Sequence, residues 1–474
     1  MKSREQARKM HRIIKKAMKP SSRSALAMVE TTEPDGSTAI HLTKTSIESA
    51  GLTENNRRFR QTNNTPLQHP IAINLLGRTG GKAPAAEILR SGQAPAELLA
   101  LDPFLGDYLY AHKVGLRTQL SQALTTADHS QGWIKAREAT SSGKTDLHFG
   151  HFISGTTNAN IAAFEACLSG IPWMTGYSPR RWRQGLHIMM EKRPGARNVL
   201  NLRTILLMEA DFNQGNKRLG RQLMRNAEQL GILALEQYGS RKYYMAINQG
   251  LNKRLTFDIL RQKRQRGALC STDAMSCYDR ITHIAASLAM QRAGAPLHAI
   301  HCMLDTLQHL RHHIRTVFGD SIAYFDSDDK SGIPLGGIGQ GNGAGPAIWA
   351  LVSTLIFDAL RHRGYGVFLQ CPISGQLLHF AGYAFVDDTD LCVTDHELSY
   401  DTVTTSIALK IWEGFIRASG GALRPEKATG TSLTSNGPTA TGNTHDQPQP
   451  TTPSPSATTR AIPQRFNASN LTKP

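Results

Sequence analysis

The stretch HFAGYAFVDDTDLCVT, residues 379–394, decides the fold. Phe380, Tyr383, Phe385 and Val386 form a strand-favouring apolar run that ends on two adjacent carboxylates, Asp387 and Asp388. A second apolar run, Leu391, Cys392 and Val393, follows at once. Two such runs around a polar tip predict a β-hairpin with acid at its turn. Neighbouring aspartates repel unless a cation sits over them, and a divalent metal is the usual answer. A solvated turn is the alternative for the pair taken alone, since Asp is a common turn former.

The chain around this stretch has 474 residues, room for two or three domains and at least one sizeable core. Its formal charge of +17 favours a polyanionic partner, nucleic acid before an anionic membrane. The six cysteines are scattered and form no Cys-x-x-Cys pair. That argues against a zinc site or disulfide framework and for a reducing intracellular compartment, nucleus or cytoplasm. No signal-peptide core stands at the N-terminus, and no uncharged apolar run is long enough to cross a bilayer, so a soluble protein with no membrane partner is expected.

Upstream of the hairpin, ALCSTD at residues 268–273 is a short apolar run ending in Asp273. One helix is predicted after it, turning Tyr278, Ile281, Ile284, Leu288 and Met290 inward. A carboxylate at the C-terminal end of a strand, just before a helix, is where α/β sites are built. Residues 314–325 read as a hairpin with Gly319-Asp320 as its turn. The loop GIPLGGIGQGNGAGP, residues 332–346, opens onto a strongly apolar helix. So many glycines imply close approach by another backbone or a ligand, although no Lys-Ser/Thr follows to make a P-loop. After the hairpin, residues 403–416 read as an amphipathic helix closed by Ser419-Gly420-Gly421.

The rest of the chain divides by composition. Residues 1–83 form a basic, largely irregular N-terminal region. Within it, residues 1–23 are dense in Lys and Arg with Met10, Ile13, Ile14 and Met18 at helical spacing, either a helix touching nucleic acid or membrane or a solvated arm. Residues 35–81 are polar and read as loop-laden with little core. Residues 84–177 form a helical extension, with Ile88, Leu89, Leu98, Leu99, Leu101, Leu105, Tyr108 and Leu109 spaced for one buried face over 84–128. His148 and His151 stand at metal-ligand spacing without a third ligand nearby, which favours packing or backbone contacts.

Residues 178–266 begin with a predicted hairpin carrying Lys192 at the end of one strand and Arg203 on the other. Two such cations can clamp a triphosphate, or be ordinary surface charge. An amphipathic helix over 216–235 follows, then a basic run over 253–266 that suits a phosphate backbone, an import signal or a solvated face. Residues 267–428 hold the acids. Residues 429–474 are Thr, Pro, Ser, Asn and Gln with hardly an apolar side chain, and a disordered tail is expected.

In their order, these motifs resemble those of reverse transcriptases. DAMSCYD, residues 273–279, looks like the family's first palm motif, an Asp followed five residues on by an aromatic. GIGQGNGAGP, residues 337–346, is similar to Gly-x-x-Gln-Gly-x-x-x-Ser-Pro, and FVDD, residues 385–388, to aromatic-x-Asp-Asp. Lys192 and LRTI at 202–205 resemble the two finger motifs, and GGALRPEK at 420–427 the fourth palm motif. The likeness runs from residue 178 to 427 and is closest to polymerases of non-LTR retrotransposons. Gly345 stands where the family has Ser before Pro, and Val386 where Ala is commoner. No primer grip, thumb, RNase H or endonuclease is recognisable after Lys427, as in a truncated retroelement copy.

The resemblance implies an α+β fold: the fingers and palm of a right-hand polymerase, with a split βαβ palm sheet and packed helices, a helical N-terminal extension and a disordered C-terminal tail. It implies an RNA-directed DNA polymerase, a nucleotidyltransferase adding dNTPs to a DNA primer 3′-hydroxyl on an RNA template. Asp273 and Asp387 would bridge two Mg²⁺ (or Mn²⁺) ions roughly 3.5–4 Å apart, with Asp388 a secondary ligand or nearer the primer end. Lys192 and Arg203 would hold the triphosphate, and Tyr278 would lie against the sugar and exclude a 2′-hydroxyl. Gln340 and Gly341 would let the template–dNTP pair approach the backbone. Lys427 would protonate pyrophosphate or be a plain surface lysine. Two rivals stand beside this reading. One is an RNA-dependent RNA polymerase, with Asp279 mimicking that class's second acid. The other is a catalytically inactive remnant that only binds nucleic acid.

Overall fold

The computed structural model of the protein describes residues 26–433 and 465–467, apart from 116–118, 139, 142, 328–332, 395–400 and 425–426. The expected basic helix over 1–23 lies outside these. The architecture is mixed α+β. In chain order the strands are β1 (Val29–Thr32), β2 (Thr38–His41), β3 (Gln184–Glu191), β4 (Leu202–Leu207), β5 (Gly267–Asp273), β6 (Arg311–Thr316) and β7 (Gly319–Asp320). They continue with β8 (Val367–Gln370), β9 (Leu377–Phe380), β10 (Gly382–Phe385), β11 (Asp388–Thr394), β12 (Thr429–Leu433) and β13 (Arg465–Asn467). The chain forms two units, each assembled from separate stretches, so neither coincides with a single compositional segment.

The first unit comprises Met1–Ile232, Ser276–Val352 and Ala418–Gly421. Its main sheet has the order β4-β3-β6-β7, with β3 antiparallel to β4 and parallel to β6. Leu26, Val29, Ile47, Met189, Val199, Leu202 and Ile314 share one apolar core. Burying such side chains stabilises by about 1.5–3 kcal/mol each relative to exposure. Helices occupy much of residues 83–175, and of the side chains expected on one buried face Ile88, Leu98, Leu105, Tyr108 and Leu109 are fully buried, Leu89 and Leu101 are half-buried, and Leu99 is exposed.

The expectation of a largely irregular region before residue 84 is overturned by the helix Lys44–Phe59. Thr43 caps it, its hydroxyl accepting from the Ser46 N–H at 3.3 Å. The segment reads as polar because its inner face is built on charge. Arg58 donates to the carbonyls of Val199, Leu200 and Leu202 at 3.0–3.1 Å and to the Thr204 hydroxyl at 2.8 Å, while Glu54 accepts from it at 2.8 Å. A buried charge so fully hydrogen-bonded is tolerated where an unpaired one is not.

Two further local expectations are corrected. In the hairpin at 314–325, Thr316 pairs with Gly319 and Arg315 with Asp320, so Val317-Phe318 is the turn and Gly319-Asp320 the returning strand. The forked Arg315–Asp320 pair at 2.6 and 2.9 Å fixes that register. The single helix expected after Asp273 is two, Cys277–Arg280 and His283–Arg292, separated where Ile281 is extended and the Thr282 hydroxyl caps the second.

The second unit comprises Leu233–Met275, Ser353–Arg417 and Ala422–Pro474. Its sheet has the order β10-β11-β5-β12-β13, with β5 antiparallel to both neighbours. Tyr238, Leu260, Leu269, Val367, Phe380, Tyr383 and Cys392 form its core. The tail expected to be disordered from residue 429 begins instead with β12, which pairs along β5 from Thr429 opposite Ser271 to Leu433 opposite Gly267. β13 then pairs with β12. The helix Ala246–Gln262 carries part of the basic run, and Lys253 is committed to the sheet, 2.7 Å from Asp390 of β11. Among the described residues, no helix is long and apolar enough to cross a membrane.

Candidate active site

The hairpin read from the sequence is present, and it delivers the acids to a neighbouring strand. β10 and β11 pair antiparallel with Phe385 opposite Asp388, leaving Val386 and Asp387 as the two turn residues. Asp388 in turn lies directly opposite Asp273 of β5. Directly opposed residues have Cβ atoms about 4.5–5.5 Å apart, and like charges so placed are destabilising. The Ala274 N–H donates to the Asp387 carbonyl at 3.3 Å, tying the turn to the end of β5. Asp273, Asp387 and Asp388 thus meet at one sheet end, although more than 110 residues separate Asp273 from the other two.

Burial raises the Asp387 carboxyl above the usual carboxylate range, and the charges of Asp388 and Asp273 push the same way. Asp388 is raised by partial burial and then by Asp273. Lys427 opposes both shifts. Its ammonium forms an ion pair with the Asp273 carboxylate, and the Arg424 guanidinium stands 3.8 Å from the same oxygen. The Arg424 N–H donates to the Asp273 carbonyl at 3.1 Å, and the Met275 N–H to the Ala422 carbonyl at 2.8 Å. Ala422, Arg424 and Lys427 are thereby held beside the acids.

The turn is strained. Val386 has φ +62°, a left-handed conformation costly for a β-branched residue. Gln237, fully buried, holds it from both sides. Its Oε1 accepts from the N–H groups of Val386 at 3.1 Å and Gly239 at 2.8 Å, and its Nε2 donates to the Val386 carbonyl at 3.3 Å and the Ser353 hydroxyl at 3.0 Å. Next to it, the buried Glu236 accepts from the Ala381 N–H at 2.8 Å and pairs with Arg361. Sequence reasoning missed both residues. Their signal was two adjacent polar groups embedded in the otherwise apolar run ILALEQY at 232–238.

The remaining expected site residues belong to the first unit. Arg203 is exposed on β4, opposite Met190, and Lys192 is exposed immediately after β3. The Leu206 N–H of β4 donates to the Gln340 carbonyl at 2.7 Å. Gly341, at φ +126°, lies so close to the Leu206 carbonyl that a Cβ there would collide with it. The close approach expected at the glycine loop is therefore by another backbone, that of β4. Tyr278 accepts at its carbonyl from the Ile338 N–H at 2.8 Å, and its ring lies against Gly345, where a Cβ would stand 3.3 Å from Cδ1. Asp279 is buried, accepts from the Gln340 N–H, and has its carboxyl pushed up to about 6 by burial. His148 and His151 cap a helix, the His151 Nδ1 accepting from the His148 N–H at 2.9 Å.

Among the described residues, no group of three or more His, Cys, Asp and Glu side chains is arranged to hold a metal ion unaided. Mg²⁺ at nucleotide sites is held by one or two carboxylates together with substrate phosphates. The hard oxygen donors of Asp273, Asp387 and Asp388 fit that demand, and the Lys427 ammonium already stands as a cation on Asp273. No family model matches the chain, and no curated protein matches it.

Proposed function

We propose that the protein is an RNA-directed DNA polymerase of retroelement type, the second unit carrying its palm and the first unit its fingers. The observation that carries this is the direct opposition of Asp273 and Asp388 across β5 and β11, with Asp387 in the strained turn between β10 and β11. Three strands that bring separate carboxylates to one end are what a split βαβ palm requires, and burial with mutual repulsion leaves those acids in need of a cation.

Bound divalent cations would supply charge neutralisation for the attacking 3′-hydroxyl and the leaving pyrophosphate. Asp273 and Asp387 would hold them, with Asp388 as the outer ligand. Phosphoryl transfer then needs in-line placement more than covalent help. Lys427 would leave Asp273 and turn to the pyrophosphate. An RNA-dependent RNA polymerase is less well supported, because the acid it would need at Asp279 is buried and hydrogen-bonded by the Gln340 N–H.

Primer extension on an RNA template with Mg²⁺ tests the proposal, run with dNTPs, with rNTPs, and with Asp387→Ala and Asp273→Asn variants. Extension by dNTPs that both variants abolish is the expected result. Template binding without extension identifies an inactive remnant, and preference for rNTPs the other polymerase class.

A further inference from the structure

The helix Ala159–Thr175 is built inside out. Its inward face carries the small residues Ala162, Ala166 and Gly170 together with Trp173, all buried. Its outward face carries large apolar side chains: Ile161 is 47% exposed, Phe164 64%, Leu168 50%, Ile171 41% and Met174 45%. A surface helix ordinarily does the reverse, and an exposed apolar stripe of this kind marks an interaction site. The helix has one charged residue, Glu165, and that side chain is turned aside to His129 at 3.2 Å. The stripe is therefore free of charge along its length.

We infer that this face pairs with the same face of a second copy of the chain, the two helices running antiparallel about a two-fold axis. The pattern is its own mirror about the point between Cys167 and Leu168. Ile161 and Met174 lie at equal distances from that point on either side, as do Phe164 and Ile171. On a helix of 3.6 residues per turn all of them fall within about 70° of one seam. In an antiparallel pair Ile161 meets the partner's Met174, Phe164 meets the partner's Ile171, and Cys167 meets the partner's Leu168. A two-fold contact demands this kind of self-complementarity, and helices so paired sit about 8–10 Å apart. The formal charge of +17 opposes self-association over the surface at large, so two copies can meet only where charge is absent, as along this stripe.

Cys167 lies at the centre of the stripe and is exposed; Cys371 is also exposed, and the other four cysteines are buried. In the full chain carrying Cys371→Ser, a short bifunctional maleimide should join two copies through Cys167, and light scattering should give the mass of a dimer. Introducing Phe164→Glu with Leu168→Glu should return a monomer and lower the cross-linking yield at least about tenfold, because a carboxylate cannot enter an apolar seam unpaired. The far-ultraviolet circular dichroism spectrum of that variant should be unchanged, since both side chains are exposed in the single chain. Cys167 alkylation, followed on dilution of the unmodified seam, should speed up as the dimer dissociates. A monomeric mass at high micromolar concentration overturns the inference. So does a dimer that survives both charges, or a Cys167 protected from alkylation in a monomer.

Discussion

Replacing Gln237 by Ala should loosen the acid turn more than any change to the acids themselves. The side chain is fully buried and is the acceptor for two backbone N–H groups, those of Val386 and Gly239. Each buried donor left without a partner costs about 1–3 kcal/mol. Allowing for partial relaxation, the local loss is about 2–4 kcal/mol, and the clamp that holds Val386 at positive φ goes with it. Hydrogen exchange of the Val386 and Gly239 amides reads this directly, because local opening is measured without assuming that both units unfold together. Exchange should accelerate roughly 30- to 700-fold, at 1.4 kcal/mol per decade. Adding Val386→Gly should recover about 1 kcal/mol, since glycine takes the left-handed conformation without the penalty of about 1–2 kcal/mol. Primer extension should fall in Gln237→Ala as Asp387 loses its fixed position. Exchange within about twofold of the parent at both amides, near the error of the method, would refute the clamp.

Three more outcomes are expected. His187 and His112 are buried with pKa pushed down to about 3 and His283 to about 4, in each case by burial first, so below the ordinary value of 6.5 the unfolded chain takes up protons that the folded one does not. Stability should be level above pH 6.5 and fall below it by about 1.4 kcal/mol per pH unit for each histidine, about 2 kcal/mol each by pH 5; denaturant unfolding at pH 7.5, 6 and 5 checks the sign. Lys427→Gln frees Asp273 of its ammonium and should tighten Mn²⁺ binding, read by electron paramagnetic resonance, about two- to fivefold, the range open to a half-exposed ion pair worth up to ~1 kcal/mol; weaker binding contradicts the competition. Gly341→Ala drives a Cβ toward the Leu206 carbonyl at φ +126° and should destabilise the first unit by about 2–3 kcal/mol in urea.

What the sequence discloses of this fold depends on where the information is stored. The hairpin at 379–394 and the strand ending in Asp273 are legible because apolar runs and turn acids are local signals. The helix Lys44–Phe59 is not, because its buried face includes Glu54, Asn55 and Arg58, and the partners of Asn55 and Arg58 lie some 140 residues away on β4 and its approach. At Val317-Phe318 the turn rules favour the following Gly-Asp, and a cross-strand ion pair prevails over them. Of the site, the acids are legible and the clamp is not: nothing local to Gln237 says that its amide will bracket a peptide bond 149 residues further on. β12, TGTSL, has no apolar period at all and is a strand because β5 offers it a row of backbone partners.

That last pairing has a practical consequence. With β11 on one flank and β12 on the other, the strand that ends in Asp273 is sealed against neighbouring molecules. A protein cut back to residue 428, where the recognisable motifs stop, would lose that seal and bare a line of unanswered amides and carbonyls along β5, ready to recruit a strand from another chain. Insolubility of such a shortened protein would then report a missing cover strand, and the few small polar residues that look most dispensable would be what keeps this sheet single.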